Sequence, residues 1–309
     1  MLSNIILVAG NVFTLLLMML VGYILVRIGW LTANTQSEIT KLLLYIVTPC
    51  IIITGMPDEC NTQILHTFGI VGIIFLSIYI VSAVIAWVLF RGQPQDTRAS
   101  LINAAVYGNA LFMGLPLLQS VLGDEAIVYG VIGSVVINIF TWTHGAAVMG
   151  GRERISAQKA IINPGVIGFS IGFLLFVMNL KLPAPVDRAM VFMSNLNTPL
   201  AMIIIGTQIA SADIMTTFKD KRLYLVTLFR LIIFPVMVML VLLPFHPDTT
   251  MYLSVVILTG CPSAAAVGMF AQQFNRDRQA ASQAIAQTTL LSIIAMPLLA
   301  AIGRTLIGL

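Results

Sequence analysis

Charge is what this sequence lacks. Sixteen basic and twelve acidic residues make up 9% of 309, while 59% are hydrophobic. Soluble domains carry roughly 25% charged residues, so this chain cannot clothe a water-facing surface, and its mean hydropathy of +0.99 agrees. Cysteine is nearly missing: Cys50, Cys60 and Cys261 cannot all pair, and their spacing fits neither a disulfide framework nor a metal-ligand set. Histidine is equally scarce (His66, His144, His246), and none stands at helical spacing from an acid, which leaves an intramembrane enzyme without a base or a metal cluster. There is no phosphate-binding loop for ATP-driven pumping and no ring of charges for a channel pore. The apolar–polar alternation of barrel strands is also missing, since runs such as Ile70–Phe90 and Leu231–Leu243 are unbroken. No basic residue precedes Arg27, and Ile5–Val26 is long enough to span, so the N-terminus reads as a first span rather than a cleaved signal.

What is present is a series of apolar runs. Ten of them, at about 5–27, 37–56, 66–90, 99–122, 125–149, 162–180, 189–210, 222–243, 250–273 and 279–303, have the length a bilayer requires, about 20 residues each. Basic residues divide unevenly between the loops: twelve fall in odd-numbered loops, and only Lys181, Arg188 and Arg304 fall on the other side. The positive-inside rule then predicts odd loops in the cytoplasm and both termini on the extracytoplasmic side of the plasma (inner) membrane. The net charge of +4 is thereby a matter of topology, with no nucleic-acid partner implied.

Five spans per half would invert the second half relative to the first. The division expected is a first repeat over 1–150, a cytoplasmic connection over 151–161 and a second repeat over 162–309. Corresponding segments match: Thr48-Pro49 leads an Ile-rich run to Gly55 in the second span, as Thr198-Pro199 leads one to Gly206 in the seventh. The fourth span carries Gly108, Asn109, Gly114 and Pro116, and the ninth carries Gly260-Cys261-Pro262-Ser263 near its middle. Proline removes a backbone donor and glycine weakens a helix. A helix broken inside a bilayer persists only where protein or a cavity satisfies the freed groups. Paired breaks in inverted halves therefore point to a midplane binding site.

The stretch from Gly108-Asn109 through Gly114-Leu115-Pro116-Leu117 resembles the GN-x-x-x-x-G-x-P-L segment of the auxin efflux carrier family of bacterial and plant transporters. Asn163-Pro164, Thr198-Pro199-Leu200-Ala201, Arg230 with Phe234-Pro235, and Cys261-Pro262-Ser263-Ala264 extend the resemblance along nearly the whole chain. It implies an all-α membrane protein of ten transmembrane helices, built as two inverted five-helix repeats with broken crossing helices 4 and 9. This architecture is shared with sodium/proton antiporters and bile-acid symporters. The resemblance also implies elevator-type transport of small organic anions, auxin-like or mono- and dicarboxylate, and no enzymatic activity.

The substrate-binding set expected is Asn109 with Gly108, Gly114, Pro116, Cys261, Pro262 and Ser263. The Asn109 amide can donate to a carboxylate, and the half-helix ends supply partial positive charge. Arg230, the most inward charge, is either a substrate or gating charge or a side chain reaching back to the interface. Asn103, Gln272 and Gln273 flank the breaks as candidate polar lining. Other amides inside spans, Asn138 and Gln208 among them, read as interhelical hydrogen-bond glue. All twelve acids lie in loops or near span ends, so no midplane carboxylate is available to carry a proton or hold sodium. Uniport of the anion fits that pattern, with sodium- or proton-coupled transport as the alternative. No cofactor and no metal are expected. The partners are the anion, the bilayer and, by analogy with related architectures, a second copy in a homodimer.

Overall fold

The computed structural model describes residues 2–57, 59–150, 164–211, 214–245 and 247–307. The connection expected over 151–161, with Arg152, Arg154 and Lys159, lies outside them, as does Asn163. Among the described residues all extended elements are helices: α1 (Leu2–Arg27), α2 (Asn34–Thr54), α3 (Thr62–Leu89), α4 (Gln95–Val106), α5 (Ala110–Leu122), α6 (Asp124–Gly150), α7 (Pro164–Val177), α8 (Ala184–Ala210), α9 (Lys221–Phe245), α10 (Thr249–Thr259), α11 (Ala266–Gln273) and α12 (Arg278–Leu306). Six of these are long and apolar enough to cross a membrane, and Phe13–Arg27 of α1, α5, α7 and α10 are shorter apolar stretches beside them. Large apolar side chains point outward, Phe13, Ile73, Trp87 and Leu240 among them, each more than half exposed. In water such a surface would aggregate; in lipid it is the solvated face.

Polar side chains mark where helices begin. Thr32, Asn61, Asp220, Asp248 and Asp277 each accept a backbone N–H from the first turn that follows. Asn179 and Asn275, both at φ 51°, turn the chain out of α7 and α11.

Four helices carry a π turn: Leu43–Val47 in α2, Ala110–Gly114 in α5, Thr141–Gly145 in α6 and Phe229–Ile233 in α9. Three have a common cause. Pro49, Pro116 and Pro235 each follow their π turn by two residues. A proline ring collides with the carbonyl four residues earlier, which here lies inside the widened turn. The fourth has no proline behind it; there the Tyr107 hydroxyl lies 2.7 Å from His144 Nδ1 and 3.2 Å from the Phe140 carbonyl, which the Thr143 hydroxyl also meets at 3.3 Å.

The helices pack as two groups. In one, α1 lies along the second part of α8, and α2 lies against α7 and the first part of α8. Gly22 and Gly206 make the first pairing backbone to backbone, because a Cβ on either would overlap a carbonyl of the partner helix. In the other group, α3 packs on α6 and α4, α9 packs on α12 and α10, α6 touches α10, and α12 touches α4.

Candidate functional site

The interrupted helices α4–α5 and α10–α11 meet at their breaks. Tyr107 to Asn109 and Pro262 to Ala264 run antiparallel, with a single β-bridge between Gly108 and Ser263. Asn109 N–H donates to the Pro262 carbonyl at 2.7 Å, and Ala264 N–H donates to the Tyr107 carbonyl at 2.9 Å. Ser263 is consumed by the scaffold: its hydroxyl donates to Ala104 O at 2.7 Å and its N–H donates to Thr288 Oγ1 at 3.1 Å.

Arg230 reaches this crossing from the π turn of α9 and is fully buried. Its Nε donates to Cys261 O at 2.8 Å, and Nη1 donates to Val106 O at 2.9 Å and more weakly to Ala105 O at 3.5 Å. Among the described residues the ion pairs are Arg222–Asp220 and Arg276–Asp96, so no carboxylate answers Arg230. Its Nη2 lies against Gly108, where a Cβ would overlap it.

A helix leaves its last carbonyls and first N–H groups without internal partners, and the two kinds are treated differently here. From Asn103 to Tyr107 each carbonyl at the end of α4 has an acceptor role: Tyr107 N–H, Ser263 Oγ, Arg230 twice and Ala264 N–H, in order. Cys261 O and Pro262 O, beyond α10, are taken by Arg230 and Asn109, while Thr259 O and Gly260 O accept no hydrogen bond among the described residues. The N–H groups of Leu111, Ala265 and Ala266, by contrast, make no hydrogen bond among the described residues. Asn109 caps α5 by accepting from Phe112 N–H at 3.3 Å through Oδ1. That leaves its Nδ2 without a partner among the described residues, although the residue is only 9% exposed.

The residues that carry these open donors line a cavity of about 510 Å³. Its walls come from α2 (Thr40, Leu44, Tyr45, Thr48), α5 with the residues before it (Gly108 to Phe112), α6 (Ile137, Asn138, Thr141, Trp142), α7 (Pro164, Gly165), α8 (Gln208) and α11 with the residues before it (Ala264 to Ala266, Met269, Phe270). The cavity thus lies on the seam between the two helix groups. No charged side chain lines it, and three of the four π turns contribute to its wall.

Of the sequence-predicted site residues, Gly108 and Asn109 line the cavity. Pro262 and Ser263 hold the crossing from behind, and Cys261, whose thiol donates to Ile257 O at 3.4 Å, supplies a carbonyl to Arg230. Gly114 packs against Leu258 and Cys261, and Pro116 is buried below the π turn of α5. Asn103 donates to Ala99 O away from the cavity, while Gln272 and Gln273 are exposed at the end of α11. Arg230 stands one backbone thickness behind the wall. Thr40, Tyr45, Thr48, Thr141 and Trp142 were not anticipated, and Asn138 and Gln208 were expected only as glue. Pro49, behind the π turn of α2, was the available signal for Tyr45 and Thr48; the others carry none.

An all-helical, lipid-facing protein whose interrupted helices surround an interior cavity belongs to the class of integral membrane transporters. More particularly, the chain belongs to the membrane transport protein family, which matches it over residues 7–300. An uncharacterized transporter of Methanothermobacter thermautotrophicus is 23% identical over 294 residues, covering 93% of this chain and 96% of the relative. An uncharacterized transporter of Methanocaldococcus jannaschii is 23% identical over 210 residues, covering 64% and 68%.

Proposed function

We propose that this protein is a secondary transporter of a small organic anion, bound at the crossing of the two interrupted helices. One observation carries the reading: residues with open N–H donors at both half-helix starts, together with Asn109, line the cavity, while the carbonyls from Asn103 to Tyr107 and those of Cys261 and Pro262 are occupied elsewhere. Helix N-termini and neutral donors attract a carboxylate without a lining cation. The aromatic and aliphatic remainder of the wall suits an organic body.

The wider reading is a ten-span inverted repeat in which the interrupted helices are spans four and nine. It is supported by packing that repeats between the halves: α3 on α6 as α9 on α12, and α6 on α10 as α12 on α4. Elevator-type movement is the matching mechanism, with the closely packed α1–α8 and α2–α7 pairs as the frame. Thr40, Pro164 and Gln208, near the span ends that meet the odd-numbered loops, support a cavity mouth on that side, the cytoplasmic one by the basic-residue bias. No acid lines the cavity, which favours uniport over coupling to protons or sodium.

The test is flux into proteoliposomes of labelled indole-3-acetate, malonate and malate, with and without proton and sodium gradients. Wild-type protein carries at least one of these anions, and Asn109→Ala lowers its flux about tenfold or more while the protein stays monodisperse, as expected for a lost charge-assisted hydrogen bond. Transport of none of the three, or full flux in Asn109→Ala, overturns the reading.

A further inference from the structure

Arg230 is a cation fully enclosed in the protein, without a carboxylate and outside the cavity wall. Burying such a charge is costly, and the groups it meets explain what it offsets. Cys261 O lies just beyond the C-terminal end of α10, and Val106 O and Ala105 O are the end of α4. Each helix end carries about half a negative charge. Two such ends converge on one guanidinium, whose planar fork can meet both at once. The opposite, positive ends, at the starts of α5 and α11, are those that face the cavity.

We propose that Arg230 is a positioning residue that cancels the negative ends of both interrupted helices, so that the positive ends of the other two half-helices set the potential in the cavity. Selection of an ionised ligand over a neutral one then originates in a residue the ligand never touches. Gly108 is what allows this arrangement, since any larger residue there would push the guanidinium off the two carbonyl ends. This inference rests on the anion-binding reading of the same cavity, but it makes a claim about electrostatic potential that can be measured without a substrate.

The experiment places one reporter thiol on the wall, Ala265→Cys, in a background with Cys50→Ser and Cys60→Ser; Cys261, fully buried, is kept. The rates of modification by the anionic sulfonatoethyl and the cationic trimethylammonioethyl methanethiosulfonates are then compared. Their ratio cancels both the accessibility and the ionisation of the thiol. With Arg230 present, the anionic-to-cationic ratio is expected about tenfold above that of mercaptoethanol in solution, the effect of about one charge at short range in a weakly polar medium. Arg230→Lys keeps most of that bias, and Arg230→Gln, which retains amide donors for the carbonyls, loses it. A residue that only stapled the crossing would change both rates together and leave the ratio alone.

An Arg230→Gln ratio equal to the parent's overturns the proposal. Should that variant fail to fold, a parental ratio no higher than mercaptoethanol's overturns it equally. Loss of the bias with no anion carried by the wild type removes the transport reading alone. Anion flux intact with an unchanged ratio removes the role of Arg230 alone.

Discussion

The two breaks occupy matching places in the fold, yet their chemistry differs. At the first, Asn109 caps α5 with one side of its amide and presents the other to the cavity. At the second, Ser263 stands opposite, and both its hydroxyl and its N–H are tied to neighbouring helices. Gly108 at the first break lies against the guanidinium, whereas Gly260 at the second lies against the methyl end of Leu299. Both backbone paths thus bring main-chain groups to the cavity, but only the first adds a side-chain amide there, while the side chain at the second anchors the crossing. Repetition of a backbone does not oblige repetition of its side-chain roles.

The comparison is broken most severely at the glycines. Gly108→Ala sets a Cβ on a buried, hydrogen-bonded cation, and the variant is expected to lose about 3 kcal/mol or more and to melt well below wild type in detergent. Gly260→Ala overlaps the flexible end of Leu299, meets the Val256 and Ile257 carbonyls at ordinary contact distance and keeps a helical φ of −83°, so about 1 kcal/mol is expected. Equal melting temperatures for the two would dissolve the distinction between the breaks. Next in size is Thr288→Val, which preserves shape but leaves Ser263 N–H buried and unpaired, at about 1–3 kcal/mol. If Ser263 only anchors the crossing, this variant lowers the melting temperature while the apparent KM for the carried anion stays at the wild-type value.

The smallest effect lies at the start of α9, far from both breaks. The hydrogen bond from Arg222 holds the Asp220 carboxyl below its ordinary value of 3.8. A depressed native pKa contributes stability above the unfolded pKa and loses it as pH falls through the native value, so the contribution fades only below about pH 4. Since the pair is partly exposed, Asp220→Asn should cost about 1 kcal/mol or less at pH 7, read from thermal melts. A larger loss would show that the crossing is not the most sensitive part of the molecule.

How much of this was written in the sequence depends on where the signal resides. Apolar runs announce themselves, and Gly108-Asn109 and Pro262 announce breaks because they deprive a span of its own hydrogen bonds. The distribution of the cavity wall over α2, α5, α6, α7, α8 and α11 leaves no local mark, since Thr48, Thr141 and Gln208 each look like ordinary residues of an apolar helix. Arg230 was visible as a charge in the wrong place, but its partners are main-chain carbonyls, which every residue possesses and no sequence pattern singles out. The π turns of α2, α5 and α9 were readable in principle from Pro49, Pro116 and Pro235. The one in α6 was not, because no proline follows it and its contact with Tyr107 comes from more than thirty positions away.

The bonds across the breaks also determine how the molecule can flex. Asn109 to Pro262, Ala264 to Tyr107, Ser263 to Ala104, and Arg230 to both Cys261 and Val106 bridge the crossing or clamp it, and the Tyr107 hydroxyl bolts it to α6. A scissor-like opening at the breaks would have to rupture this lattice together, at about 0.5–1.5 kcal/mol for each ordinary bond and more for those of the guanidinium. The crossing is therefore a stiff joint rather than a hinge, and compliance has to be sought along the seam that the cavity occupies.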